Sequence, residues 1–290
     1  MDDVSTPALP CALTIAGSDS SGGAGIQGDL RTFAALRVFG TSAITAITAQ
    51  NTLAVREAHV LPPAWVRAQV EAVLLDMPVL AAKTGMLGNA AVVEAVAEAL
   101  AGRGLPLVID PVITSKSGAQ LVDDEGVRAI VRLLFPLCTV VTPNLPEAER
   151  LVGFPVVTVD DQERAGHALV ELGVRAALVK GGHAEGGGPV LVDVLVEAGG
   201  RVTRLETPRH ETRQTHGTGC ALAAALAALV ARHRHGNRLG PDLAVIAREA
   251  QAYVSTAIAE APGLGRGHGP IHHMHPFYDR SGTAKVRRDP

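Results

Sequence analysis

The chain has 290 residues, 26 basic and 29 acidic, for a formal net charge of -3. Hydrophobic residues make up 47%, enough for a sizeable core, but aromatics are only 3%, so that core must be packed from Ala, Val, Leu and Ile. The charges are interspersed, and no basic stripe with interleaved aromatics appears, which argues against nucleic acid as the main partner.

Short β-rich runs alternate with longer helical patterns, the signature of βαβ units and a mainly parallel sheet. "CALTIAGS" reads as the first strand and "AGIQGDLRTFAALRV" as the helix after it. "TSAITAITAQ" is a second strand and "PPAWVRAQVEAVLLDM" an amphipathic helix. The unit repeats as "VLAAKTGML" with "AAVVEAVAEALAGRG", "LPLVIDPV" with "DDEGVRAIVRLLF", and "CTVVTPN" with "LPEAERLVG". The helix "DQERAGHALVELG" leads into the strand "RAALVKGG", and "PVLVDVLVEAGGRVTRLET" reads as a hairpin turning at Gly199 and Gly200. Two helices follow, over Gly219 to Arg232 and about Pro241 to Glu260, and the polar, basic segment after Ser281 reads as a frayed tail. With no linker tract and no repeat, residues 1–290 read as one α/β domain with an ordered core over about 11–280.

Cys11, Cys138 and Cys220 are odd in number and far apart, so no disulfide framework is implied. The acidic start "MDDVSTPALP" lacks the apolar centre of a signal peptide. The longest apolar run, Cys220 to Ala231, falls short of the roughly 18 residues that suggest a membrane span. A soluble cytoplasmic protein with no membrane partner is the expectation.

The polar turns "AGSDSSGGAG", "TAQNT", "KTGM", "DPV", "TPNLPEAE", "KGGH" and "THGTGC" fall at the C-terminal ends of the expected parallel strands, where open α/β sheets place their ligands. In the first, Gly22, Gly23 and Gly25 let a ligand approach the backbone ahead of a helix beginning near Ala24. Gly23, Gly25 and Gly28 satisfy the dinucleotide pattern G-x-G-x-x-G, but the acid expected about 20 residues later is absent. The turn either receives a phosphate or is a tight strand-to-helix connection. In "TPNLPEAERLVG", Asn144 and Glu147 offer hard oxygens suited to Mg²⁺ held through water beside phosphates. Equally, Glu147 is an acid in the first turn of a helix, where the macrodipole favours one.

In "THGTGC", Gly217 and Gly219 remove side chains that would block an anion at a helix N-terminus, while Thr215 and Thr218 add hydroxyl donors. Cys220 follows them. A thiol there is either an acceptor with a lowered pKa or a small buried hydrophobe.

Together these motifs, with "KSG" and "GHGPIHH", resemble the hydroxymethylpyrimidine/phosphomethylpyrimidine kinases of thiamine biosynthesis, within the ribokinase-like superfamily. They run in that family's order from about residue 12 to 273. The resemblance implies an α/β, ribokinase-like αβα sandwich whose central, mostly parallel sheet carries helices on both faces. It implies transfer of the ATP γ-phosphoryl group to the hydroxymethyl of 4-amino-5-hydroxymethyl-2-methylpyrimidine, then to the resulting monophosphate.

Cys220 then stands where most ribokinase-like enzymes carry an aspartate base, and the Gly217–Cys220 amides form the anion hole. Gly17, Asp29, Gln50, Met86 and Ile113 match the residues around the ring. Asn144, Lys180, Gly182, Thr215 and Thr218 match the nucleotide side, Lys180 near the phosphates. Glu147, joined by Asp110, matches the Mg²⁺ position. ATP and Mg²⁺ are the implied cofactors and a homodimer the implied assembly. His272, His273 and His275 are implied to be structural, and "GLGRGHGPI" to shape a turn near the nucleotide end. Competing readings are a pyridoxal or pyridoxine kinase, a non-catalytic vitamer-binding protein, and a dinucleotide oxidoreductase, which the missing acid disfavours.

Overall fold

The computed structural model describes residues 8–114, 120–182, 188–235 and 242–285. The "KSG" motif at 116–118, His183, Pro241 and the last five residues lie outside them. The strands are β1 (Cys11–Asp19), β2 (Phe39–Gln50), β3 (Val55–Val60), β4 (Val79–Thr84), β5 (Leu107–Ile109), β6 (Cys138–Val141), β7 (Ala176–Val179), β8 (Val190–Glu197) and β9 (Val202–Pro208). The helices are α1 (Gly25–Ala35), α2 (Pro63–Asp76), α3 (Ala90–Leu100), α4 (Asp124–Ala129), α5 (Leu145–Val152), α6 (Val159–Glu171), α7 (Thr218–Arg234) and α8 (Leu243–Ala259).

Among the described residues one nine-stranded sheet runs in the order β3-β2-β1-β4-β5-β6-β7-β8-β9. From β2 to β7 all neighbours are parallel, while β3, β8 and β9 pair antiparallel. The chain steps from β1 to β2 on one side, then returns to place β4 on the other. Such a reversal opens a crevice at the strands' C-terminal ends.

Alternate residues of β1 enter different cores. Leu13 and Ile15 pack in a cluster with α3 and α6, while Ala12 joins α1, α7 and α8. A sheet covered on both faces needs such apolar strands, and the result is the expected αβα sandwich. Helix α7 is buried without a gap from Ala221 to Ala231, because alanine lets the neighbouring elements approach on every side.

Three local expectations differ. The helix expected over 123–135 holds α-geometry only to Ala129, then passes through a π-turn at Ile130–Leu134 into a 3₁₀ turn at Phe135–Leu137. Pro136 has no N–H with which to continue it. β3 was not expected, since its exposed charged residues supply little apolar alternation. The segment after Ser281 folds back at least to Lys285, whose ammonium reaches both Glu260 oxygens.

Candidate active site

The polar turns meet in one cleft of about 1180 Å³ at the C-terminal ends of the parallel strands. Of the expected residues, Gly17, Gln50, Met86, Asp110, Ile113, Asn144, Glu147, Lys180, Gly182, Thr215, Gly217, Thr218, Gly219 and Cys220 line it. Asp29 does not. It lies beneath the floor with no exposed surface.

The start of α7 is built by glycine. Gly217 adopts φ +84° as N-cap, and no side chain caps the helix there. A Cβ on Gly217 would come within 1.9 Å of the Gly23 carbonyl oxygen, so the two glycine turns fit together only without one. Thr218 Oγ1 donates to the Thr215 carbonyl at 2.7 Å, tightening the turn. A Cβ on Gly219 would stand 3.3 Å from Lys180 Nζ and 3.6 Å from Asp110 Oδ2. The helix N-terminus, with the positive end of its dipole, therefore opens beside a lysine.

Lys180 and Asp110 form an ion pair at 3.2 Å. The Lys180 backbone N–H donates to the Pro143 carbonyl at 2.9 Å, which joins its strand end to the "TPNLPE" turn. There Asn144 and Glu147 make a reciprocal capping box on α5, each side chain accepting from the other's backbone N–H at 2.9 Å. Glu147 also accepts from Ile113 N at 3.3 Å. Burial and the Asp110 charge push Glu147 up, against the pull of Lys180. Against burial, Asp110 and Glu147 hold Lys180 above its ordinary value. Glu147 thus does serve the helix start, and it faces the cleft as well.

Cys220 departs from the expectation of a lowered pKa. Burial pushes the thiol up to about 11; Asp110 and Asp29 add to this, and Lys83 opposes it. Desolvation and two carboxylates outweigh one lysine and a hydrogen bond with the Gly25 backbone.

At the other end, Met86 Sδ would lie 3.2 Å from a Cβ on Gly17, so the two share one small space. Gln50 exchanges hydrogen bonds with Ser20: Ser20 Oγ donates to Gln50 O at 2.7 Å, and Gln50 N donates to Ser20 Oγ at 2.8 Å. The "GHGP" segment joins two turns: Gly267 N donates to Thr52 Oγ1 at 3.2 Å and His268 N to Thr52 O at 2.9 Å in "TAQNT", while Gly269 O accepts from His216 N in "THGTGC" at 2.9 Å. His272, His273 and His275 spend ring nitrogens on the carbonyls of Asp279, Gly23 and Tyr253.

Four residues at the site escaped the sequence reading. Lys83 lines the cleft floor and pairs with Asp29 at 2.8 Å, with both side chains sealed from solvent. Val112 follows "DP" with φ +42°, a strained conformation for a β-branched side chain, worth about 1–3 kcal/mol. Asp19 and His216 form a pair at 2.7 Å between the first glycine turn and "THGTGC". Lysine in "KTGM" and histidine in "THGTGC" were visible signals. Nothing local marked Val112.

A family model described as phosphomethylpyrimidine kinase matches residues 19–272. The chain is 44% identical over 263 residues to a hydroxymethylpyrimidine/phosphomethylpyrimidine kinase of Haemophilus influenzae, covering 90% of this chain and 95% of that relative. Among solved structures, it is similar to a phosphomethylpyrimidine kinase of Clostridium difficile, with 38% identity, a TM-score of 0.73, and coverage of 86% of this chain and 99% of that one. It is also similar to a Bacillus subtilis pyridoxal kinase solved as an ADP complex, with 35% identity, a TM-score of 0.82, and coverage of 91% and 97%.

Proposed function

The chain belongs to the phosphomethylpyrimidine kinase family, and on that premise we propose how its residues serve the reaction. It is an ATP-dependent kinase of thiamine biosynthesis, phosphorylating the hydroxymethylpyrimidine and then its monophosphate. The observation that carries the reading is the uncapped start of α7, opening beside Lys180 and Asp110 with Cys220 one residue on.

Phosphoryl transfer needs little covalent help and much positioning and charge stabilisation. The Gly217–Cys220 amides receive the transferring group, with Lys180 as a point charge beside it. The nucleotide runs past Asn144, Gly182, Thr215 and Thr218 toward Leu222, Val254 and Ile258, apolar cleft residues that suit an adenine. The pyrimidine sits by Gly17, Gln50, Met86 and Ile113, and Asp29 acts from below through Lys83. Cys220 faces the acceptor hydroxyl and takes its proton as the minority thiolate.

The donors fit Mg²⁺. Asp110 and Glu147 are buried carboxylates whose charges oppose each other, with Lys180 the neighbouring cation that offsets them. They would hold Mg²⁺ through water, and when bound it would offset phosphate charge. Among the described residues no helix is long and apolar enough to cross a membrane. A cytoplasmic homodimer completes the reading.

The likeness to pyridoxal kinases supports pyridoxal as a second acceptor. ATP consumption measured with hydroxymethylpyrimidine, its monophosphate and pyridoxal side by side tests both. Turnover only with pyridoxal would overturn the first reading, and none with pyridoxal the second.

A further inference from the structure

The Asp19–His216 pair has hydrogen bonds that decide the state of its neighbour Gln50. Asp19 accepts from Ser21 N at 2.9 Å, Ala24 N at 2.8 Å and Ser21 Oγ. Despite burial, His216 and these donors hold its carboxyl at about 2, so it is an acceptor only. His216 Nε2, 2.7 Å away, therefore carries the proton between them. The residue sits against two neighbouring segments. His216 N donates to the Gly269 carbonyl at 2.9 Å, and a Cβ on Gly23 would stand 2.6 Å from its Cδ2.

The Gln50 amide is placed with its nitrogen 3.4 Å from the same Nε2 and its oxygen 3.2 Å from Thr48 Oγ1, and the hydrogen bonds around it call for the reverse assignment. Amide oxygen and nitrogen are nearly the same size, so the partners decide which is which. Protonated and donating to Asp19, Nε2 has no lone pair to accept an amide N–H, so the oxygen is the end that fits beside it. The single hydroxyl proton of Thr48 goes to the Ser18 carbonyl at 2.7 Å, leaving Thr48 Oγ1 to accept, which requires the nitrogen. Both neighbours demand one orientation, oxygen toward His216 and nitrogen toward Thr48.

We propose that His216, held by Asp19, is a positioning residue that sets the polarity of the Gln50 amide and so selects a ring with an amine beside an acceptor nitrogen. This rests on the reading of the cleft as a pyrimidine site. The amine pairs with the amide oxygen on the His216 side, and the ring nitrogen receives the N–H on the Thr48 side. The C5 arm, adjacent to the amine, then lies toward the turn that carries both His216 and Cys220. The opposite polarity would aim the arm at Thr48, away from the thiol. The chemistry and the hydrogen bonds thus ask for the same orientation.

The test compares kcat/KM for 4-amino-5-hydroxymethyl-2-methylpyrimidine with that for its 4-oxo analogue, whose C4 oxygen accepts and whose N3–H donates. A site that reads such groups discriminates by about 10⁴-fold. His216→Phe removes one end of the relay and Thr48→Val the other. Each should cut that preference at least about tenfold, mainly through the pyrimidine KM, with the ATP KM unchanged. Should His216→Phe fold poorly, Thr48→Val alone carries the test. A folded variant keeping the wild-type preference overturns the inference. Wild-type enzyme inactive on the amino compound overturns the pyrimidine reading itself, and the inference with it.

Discussion

Lys83 Nζ lies 2.8 Å from Asp29 Oδ2, and neither side chain has any exposed surface. Thr14 Oγ1 donates to the same oxygen at 2.6 Å. Among the described side chains Asp29 Oδ1 is one of three buried atoms without a partner. Removing one charge would leave the other buried and uncompensated. Lys83→Met is expected to cost about 3–5 kcal/mol in urea unfolding, and Lys83→Met with Asp29→Leu to recover most of it. A single variant within 1 kcal/mol of wild type, by this ~3–5 kcal/mol scale, would mean the pair is not sealed in solution.

Cys220 predicts an alkaline pH profile. With its thiol at about 11, only ~10⁻⁴ is thiolate at pH 7. If the thiolate accepts the hydroxyl proton, kcat should climb from pH 7 to 10. Cys220→Ala should lose roughly 10²-fold at neutral pH and more toward pH 10, within the usual 10²–10⁴ range for a general base. Cys220→Asp should restore part of the rate and flatten the profile, since a carboxylate is already ionised there. An alanine enzyme within a few-fold of wild type at every pH assigns Cys220 to packing.

Glu147 has two duties that separate on substitution. Glu147→Gln keeps the shape of the capping box but weakens one acceptor, and should cost about 1 kcal/mol of stability. If the carboxylate also serves Mg²⁺, half-maximal rate should need several-fold more Mg²⁺. Lowered stability with an unchanged Mg²⁺ requirement would leave only the helix cap.

His273 should make the enzyme acid-labile. It is buried, its Nε2–H donates to the Gly23 carbonyl at 2.9 Å, and burial pulls it down to about 4. The unfolded chain, with an ordinary histidine near 6.5, binds the proton more readily between those values. Stability is therefore full above pH 6.5 and falls as pH drops toward 4, by at most roughly 3 kcal/mol. Urea unfolding at pH 7 and pH 5 measures the slope, and His273→Gln should reduce it by about half, the rest coming from His275, which burial also pulls down to about 4. An equal slope in the variant would assign the acid sensitivity to another group.

The strand-then-helix order, the turns at strand ends and the glycines that shape them were legible because each depends on local chemistry. Gly217 at φ +84° is a single-residue requirement, and α7 announced itself by composition. β3 was hidden because pairing with β2, rather than its own pattern, makes "VREAHV" a strand. Lys83 was quoted within "KTGM", yet nothing in four letters says that the side chain is sealed against Asp29, 54 residues away. Cys220 shows the same division in one residue. Its place at a helix start is local, while its raised pKa comes from burial and from Asp110 and Asp29, brought there by other elements. His216 and Asp19 are 197 residues apart, so the hydrogen bond that orients Gln50 exists only once the turns meet. Backbone conformation is decided over a few residues; desolvation and charge pairing are decided by which elements pack together.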